Sequence, residues 1–204
     1  GRNYAAHGHE MGGDPAREPP FFFTKAADSV SNDGAVVPYP PRTANLHHEL
    51  ELVVALGAGG AGVAVRNAVA LVWGYAVGVD LTRRDLQDQA KAMRRPWDIA
   101  KSFDSAAPCG ALRPADGRHP LAGEMSLAVN GQVRQQADLC DMIWPVADLL
   151  AELSTYCTLC PGDLVYTGTP AGVGPLVPGD RVAAAIAGVG TLGFTIGPPG
   201  AVTT

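Results

Sequence analysis

Residues 47–54 read His-His-Glu-Leu-Glu-Leu-Val-Val, with two carboxylates two positions apart. An extended chain alternates its faces, which puts His47, Glu49 and Glu51 on one side and Leu50, Leu52 and Val54 on the other. Two ionised carboxylates held this close repel each other unless a proton, a basic neighbour or a cation offsets the charge. A third acid, Asp80, ends the apolar run 72–79, an unexpected place for an isolated charge. If the two strands are neighbours, Glu49, Glu51 and Asp80 converge. An all-oxygen triad suits a hard divalent cation such as Mg2+, Mn2+ or Ca2+ and suits zinc poorly. The same spacing also fits an edge strand with a solvated acidic face, and spacing alone does not choose between the two.

The elements that must carry these groups are short. Strand signals cover 47–56, ended by the glycine cluster at 57–62, and 72–81. Phe21-Phe22-Phe23-Thr24 after Pro20 reads as a buried strand, and 28–45 as loop with an Asp33-Gly34 turn. Short helices are expected within 5–11 and 64–70. Thr82 followed by Asp85 resembles a capping box and predicts a helix over 83–93, stopped before Pro96. Residues 104–124 read as loop. Asn130-Gly131 between 125–129 and 132–136 predicts a hairpin of those two segments through a type I′ turn. Trp144-Pro145 opens a helix with Pro at its first position, and Val146, Leu149, Leu150 and Leu153 form its core-facing stripe. A strand is expected over 164–167, and the tail 161–204 reads as short strands between Gly and Pro turns.

Composition agrees with a turn-rich β protein. Gly and Pro number 25 and 17 of 204 residues, about a fifth, while 47% of residues are apolar and 17% charged. That is too much Gly and Pro for long helices and too little for a low-complexity chain. The net charge of −5, with no basic run, argues against a nucleic-acid partner. No apolar stretch approaches the 18 or so residues of a membrane span; the longest, 68–79, stops at Asp80. Cys157 and Cys160 have C-x-x-C spacing without a second pair, so all four cysteines are expected as reduced, packed thiols of a cytoplasmic protein. Residue 1 is not Met, and the natural N-terminus is expected upstream.

Several blocks together resemble the fumarylacetoacetate hydrolase family. They are Gly-Arg-Asn-Tyr-Ala-Ala-His-Gly-His-Glu at 1–10, the H-x-E-x-E strand, Gly-Val-Asp-Leu-Thr-Arg-Arg-Asp at 78–85, and Trp-Asp-Ile-Ala-Lys-Ser-Phe-Asp at 97–104. Val-Asn-Gly at 129–131, Pro-Gly-Asp at 161–163 and Thr-Gly-Thr-Pro-Ala-Gly-Val-Gly at 167–174 follow in the family's order. Within the family, 19–25, 95–98 and 133–136 are similar to the bacterial fumarylpyruvate hydrolases of aromatic catabolism. The resemblance implies an α+β fold, with a mixed β-sheet rolled into a barrel-like core and a few short helices. It implies one catalytic domain over 1–204, residues 1–20 as an active-site lid, and a homodimer. It implies Glu49, Glu51 and Asp80 as metal ligands for Mg2+ or Mn2+ (Ca2+ in a crystal), His7 and Glu10 as a catalytic dyad, and Lys101 as a charged group at the substrate. Lys25, Arg84, Gln87 and Thr169 match positions lining the substrate pocket.

The implied reaction is hydrolysis of a carbon–carbon bond in an acylpyruvate, a small 2-oxo acid, with fumarylpyruvate cleaved to fumarate and pyruvate. His7 and Glu10 are three apart, so a helical turn puts them on one face, where Glu10 orients the imidazole as a base for water. Residues 167–174 lack the lysine of a nucleotide phosphate loop and suit backbone recognition of a carboxylate. No nucleophile elbow occurs. Two alternatives stay open: oxaloacetate decarboxylation or keto–enol or cis–trans isomerisation at the same site, and a catalytically silent binding protein.

Overall fold

The structure is a computed structural model that describes residues 3–6 and 19–199. Most of the expected lid, with His7 and Glu10, lies outside the described residues, as does most of the expected helix over 5–11. Among the described residues, fourteen short strands follow in chain order. They are β1 Val30–Asn32, β2 Val36–Tyr39, β3 Leu46–His48, β4 Leu50–Leu56, β5 Val72–Val79, β6 Thr82–Arg83 and β7 Ala107–Cys109. The remainder are β8 Arg113–Pro114, β9 Glu124–Val129, β10 Gln132–Asp138, β11 Leu164–Tyr166, β12 Gly174–Leu176, β13 Arg181–Ile186 and β14 Gly190–Pro199.

These form a six-stranded sheet in the order β1-β7-β5-β4-β11 with β8 beside β5, a five-stranded sheet β10-β9-β13-β14-β2, and a three-stranded sheet β12-β3-β6. Pairing is mixed, with β1–β7 and β14–β2 parallel and the other pairs antiparallel. The result is the expected α+β fold, a curled, barrel-like mixed sheet with a few short helices.

The main core lies between the two large sheets. Leu50, Leu52, Val54, Tyr75, Val77 and Val79 face Met125, Leu127, Val182, Ile186, Leu192 and Phe194 there. On the other face of the six-stranded sheet, Val53, Ala76 and Cys109 form a smaller cluster with Leu164 and Tyr166. Glu51 and Asp80 alternate onto that second face. Helix Val146–Tyr156 closes one end, its Val146 and Leu150 packed into the main core.

Several local expectations differ from the structure. Among the described residues, 21–24 pair with no strand; Phe21 and Phe23 pack on Trp97, and Phe22 on Tyr156, so the aromatic run serves ring contacts instead. The span 28–45 is not all loop. It carries β1 and β2, and Pro38 is tolerated because β2 is an edge strand. The span 104–124 likewise carries β7 and β8. No capping box forms at Thr82: the Asp85 carboxylate accepts instead from Thr43 Oγ1 (2.6 Å) and the Ala44 amide (2.9 Å), and the helix runs Arg84–Ala92. Pro145 is the residue before the helix rather than its first. Only Cys109 is packed; Cys140, Cys157 and Cys160 are exposed and unbridged. The Asn130-Gly131 hairpin is present, with φ of 51° and 79° as a type I′ turn needs.

Candidate active site

The acidic strand is neither continuous nor an edge. It breaks at Glu49, between β3 and β4, and β4 is an interior strand flanked by β5 and β11. Register places Leu50 opposite Val79 and Glu51 opposite Gly78, and the Asp80 amide donates to Glu49 O at 2.8 Å. Glu49, Glu51 and Asp80 are therefore neighbours, with exposures of 5%, 4% and 1%. One carboxylate oxygen from each lies within 4.8 Å of the others. The solvated-face reading of this strand is excluded.

Three cations pack against this trio, Lys101 and Arg84 buried and Lys25 partly so. Lys101, from helix Asp98–Lys101, donates to Glu49 Oε2 (2.8 Å), Asp80 Oδ2 (2.6 Å) and Thr82 Oγ1 (2.6 Å). Burial alone lowers a lysine, but Asp80 and Glu49 outweigh it and hold Lys101 above its usual value. Lys25 Nζ donates to the carbonyls of Leu81 (3.0 Å), Ala106 (2.9 Å) and Lys101. It also faces Asp80 Oδ1 at 2.8 Å, off the hydrogen-bond direction, so that oxygen keeps its lone pairs. Burial lowers Lys25, with Asp80 opposing only in part. Arg84 pairs with Glu49 Oε1 and donates to Gln87 Oε1 at 2.6 Å, the two side chains lying three residues apart on one helix face.

Glu51 is handled differently. Its Oε2 accepts the Gly168 amide at 2.6 Å, and it has no ion-pair partner among the described residues. Burial, reinforced by Asp80, pushes it up to about 8. Among the described residues no positive charge pairs with Glu51, while oxygen donors converge from three side chains. Both features fit a hard divalent cation, which takes oxygen ligands and neutralises acids that burial would otherwise protonate.

The remaining expected residues line the same region. Thr169, 2% exposed, accepts from Gln135 Nε2 at 2.8 Å and sits beside Gly168. His47 accepts from Arg84 Nε at 3.4 Å, and burial with Arg84 lowers it to about 4, so it is neutral. Lys101 Nζ stands 4.7 Å from the centre of the Phe23 ring. The structure therefore brings together Glu49, Glu51, Asp80, Lys101, Lys25, Arg84, Gln87 and Thr169. Thr82, Gln135 and the Gly168 amide join them, none of the three being an expected neighbour of the acidic trio. The sequence presents Thr82 as a cap and the 167–174 amides as facing a substrate carboxylate, whereas the Gly168 amide bonds Glu51, and a lone Gln in a hairpin carries no signal of a site role.

Residues 1–197 match the family Fumarylacetoacetate (FAA) hydrolase C-terminal. The chain belongs to the fumarylacetoacetate hydrolase family. It is 44% identical to a fumarylpyruvate hydrolase of Ralstonia sp over 185 residues, 91% of this chain and 96% of that one. It superposes with a TM-score of 0.94 and 49% identity on the crystal structure of fumarylpyruvate hydrolase from Pseudomonas aeruginosa in complex with Mn2+ and pyruvate, covering 97% of this chain and 87% of that one. It is also 38% identical to a mitochondrial oxaloacetate tautomerase of Bos taurus over 200 residues, 98% of this chain and 90% of that one. As a member of the fumarylacetoacetate hydrolase family with these relatives, the protein is a hydrolase acting on carbon–carbon bonds in ketonic substances.

Proposed function

We propose that this enzyme cleaves acylpyruvates, with fumarylpyruvate hydrolysed to fumarate and pyruvate. The observation that carries this reading is the buried trio Glu49, Glu51 and Asp80 with Lys101 bonded between two of its members. The likeness to a fumarylpyruvate hydrolase crystallised with Mn2+ and pyruvate supports it.

Glu49, Glu51 and Asp80 would hold Mg2+ or Mn2+, which supplies a Lewis acid for the 2-oxo acid end of the substrate. Hydrolysis needs water to attack the acyl carbonyl while the pyruvate half leaves with the bonding electrons. His7, oriented by Glu10, takes the proton of that water. Asn3, four residues earlier, donates to Thr167 O at 2.8 Å, which ties the start of the 1–20 lid next to the Gly168 loop. Lys101 offsets negative charge as it develops on the leaving half. Arg84, Gln87 and Thr169 bind the substrate's oxygens, and Lys25 holds Asp80 and the Lys101 backbone in place. This reading takes 1–204 as one catalytic unit, working as a cytoplasmic homodimer in the breakdown of aromatic compounds.

A second reading, tautomerisation or decarboxylation of oxaloacetate, uses the same trio without an attacking water and is supported by the Bos taurus relative. A pyruvate-release screen over fumarylpyruvate, acetylpyruvate and oxaloacetate, with Mg2+ or Mn2+, separates hydrolysis from decarboxylation, and loss of the enol absorbance of oxaloacetate reads tautomerisation, which releases no pyruvate. Fumarylpyruvate is expected to be cleaved fastest. His7→Ala is expected to keep Mn2+ binding and to lose roughly 10²–10⁴ in hydrolytic rate. Release from oxaloacetate alone overturns the acylpyruvate reading, and an unchanged rate in His7→Ala removes His7 from the mechanism.

A further inference from the structure

Gln135 belongs to a strand whose other residues are exposed or half-buried. It is the one buried residue of β10, 1% exposed, between exposed Arg134 and Gln136. The β9–β10 register slips between Val133 and Gln135, and such a bulge re-aims a side chain. Here it turns the carboxamide inward, where both of its ends are filled. Oε1 accepts the Leu50 amide (3.0 Å) and faces His48 Nδ1 (2.9 Å), the two residues that flank Glu49. Nε2 donates to Thr169 Oγ1 (2.8 Å) and Pro170 O (2.9 Å).

The amide's orientation is not arbitrary. An amide N–H can only donate and a carbonyl can only accept, so Leu50 and Pro170 together fix which end is oxygen. His48 must then carry its proton on Nδ1. Thr169, already accepting from Nε2, has its hydroxyl hydrogen left to give, among the described residues only to Pro170 O across a long 3.5 Å. The loop is also seated tightly on this strand: a Cβ at Gly172 would lie 2.2 Å from Arg134 O and 3.5 Å from Gln135 Cα.

We propose that Gln135 is a positioning residue that fastens the 168–172 loop to the strand break at Glu49 and sets the polarity of Thr169. This deepens, and rests on, the acylpyruvate reading above. With one lone pair of its oxygen held by Gln135, Thr169 is turned to offer its hydrogen, which suits a ligand presenting a carboxylate or keto oxygen. Through Leu50 and His48, the same carboxamide fixes the backbone on either side of Glu49, one of the proposed cation ligands.

Two variants separate the two ends. Gln135→Glu keeps an acceptor for Leu50 and His48 and loses both donors. It is expected to raise KM for the acylpyruvate about tenfold with kcat within about threefold, and to leave Mn2+ affinity within about threefold. The Gly168 amide, bonded to Glu51, is expected to exchange its hydrogen about tenfold faster in that variant. Gln135→Met removes all four bonds and is expected to weaken Mn2+ binding, read by titration calorimetry, about tenfold as well. Gln136→Met, exposed next door, should change none of these. A folded Gln135→Glu with the KM and Gly168 exchange of the natural enzyme overturns the proposal. So does a folded Gln135→Met with undiminished Mn2+ affinity. If Gln135→Met does not fold, Gln135→Glu decides. If the natural enzyme releases no pyruvate from any acylpyruvate, the functional reading fails, and Gly168 exchange still decides the role of Gln135.

Discussion

Strands β4 and β13 are both mainly aliphatic, yet they meet their surroundings in opposite ways. β13, Arg-Val-Ala-Ala-Ala-Ile, sends Val182, Ala184 and Ile186 into the core while Arg181 and Ala183 stay exposed. β4, Leu-Glu-Leu-Val-Val-Ala-Leu, is buried at all seven positions. A strand with one wet face can carry charges at no cost. A strand covered on both faces can keep a carboxylate only if something compensates it. That is why Lys101, Lys25 and Arg84, from three separate segments, converge where β4 begins, and why Glu51, which none of them reaches, is pushed up to about 8. In this fold the sheet that carries the chemistry is the one that cannot tolerate charge by itself.

The largest test of that contrast is Asp80→Asn. It leaves the Lys25 and Lys101 ammonium groups facing a neutral amide in a dry site, and removing one partner of a buried pair costs ~3–5 kcal/mol. Mn2+ binding should disappear by calorimetry, and pyruvate release should fall by more than about 10³. The matching change in β13, Arg181→Ala on the exposed face, should shift unfolding by no more than ~0.5 kcal/mol and leave turnover alone. Full activity in Asp80→Asn would remove Asp80 from the cation site.

Glu51 gives the next effect, and its sign follows from its direction of shift. With its folded value raised to about 8, the cation-free protein holds a proton that the unfolded chain has already released. Its contribution to stability is complete below the usual carboxylate range and is lost as pH rises towards 8. Thermal unfolding in chelator should therefore fall in midpoint over that window. Mn2+ must displace the same proton, so its affinity should rise roughly tenfold per unit between about pH 6 and about pH 8, then flatten. An affinity that does not change with pH would show that Glu51 is already ionised without the cation.

How much of this could be read from the chain depends on the range of the interactions. The Asn130-Gly131 hairpin was legible because its turn is decided by two adjacent residues. Glu49, Glu51 and Asp80 were legible as types, since three acids beside apolar runs are improbable without a purpose. The break at Glu49 was not legible, because it depends on Leu50 and His48 finding Gln135 more than 80 residues away. Thr82 misled for the same reason: Thr43, 42 residues away, takes the Asp85 carboxylate that the capping pattern assigns to the helix start. The inward turn of Gln135 comes from a bulge, and the strand's alternation alone gives no sign of one.

Two glycines sharpen the comparison at its smallest scale. Gly78 lies opposite Glu51 in β5, and a Cβ there would meet Val53 Cγ2 at 2.4 Å and Tyr166 Cε1 at 2.6 Å. Gly78→Ala is an overpacking change and should cost roughly 2 kcal/mol in chemical unfolding, with weaker Mn2+ binding because β4 and β5 must part beneath the carboxylates. Gly131 sits at φ 79° in the hairpin turn with nothing within 4 Å of an added Cβ. Gly131→Ala meets only the left-handed backbone penalty and should cost ~1 kcal/mol, with Mn2+ affinity and turnover unchanged. The site sheet needs its glycine for space and the outer sheet needs its glycine for conformation. Equal effects of the two substitutions on Mn2+ binding would erase that distinction.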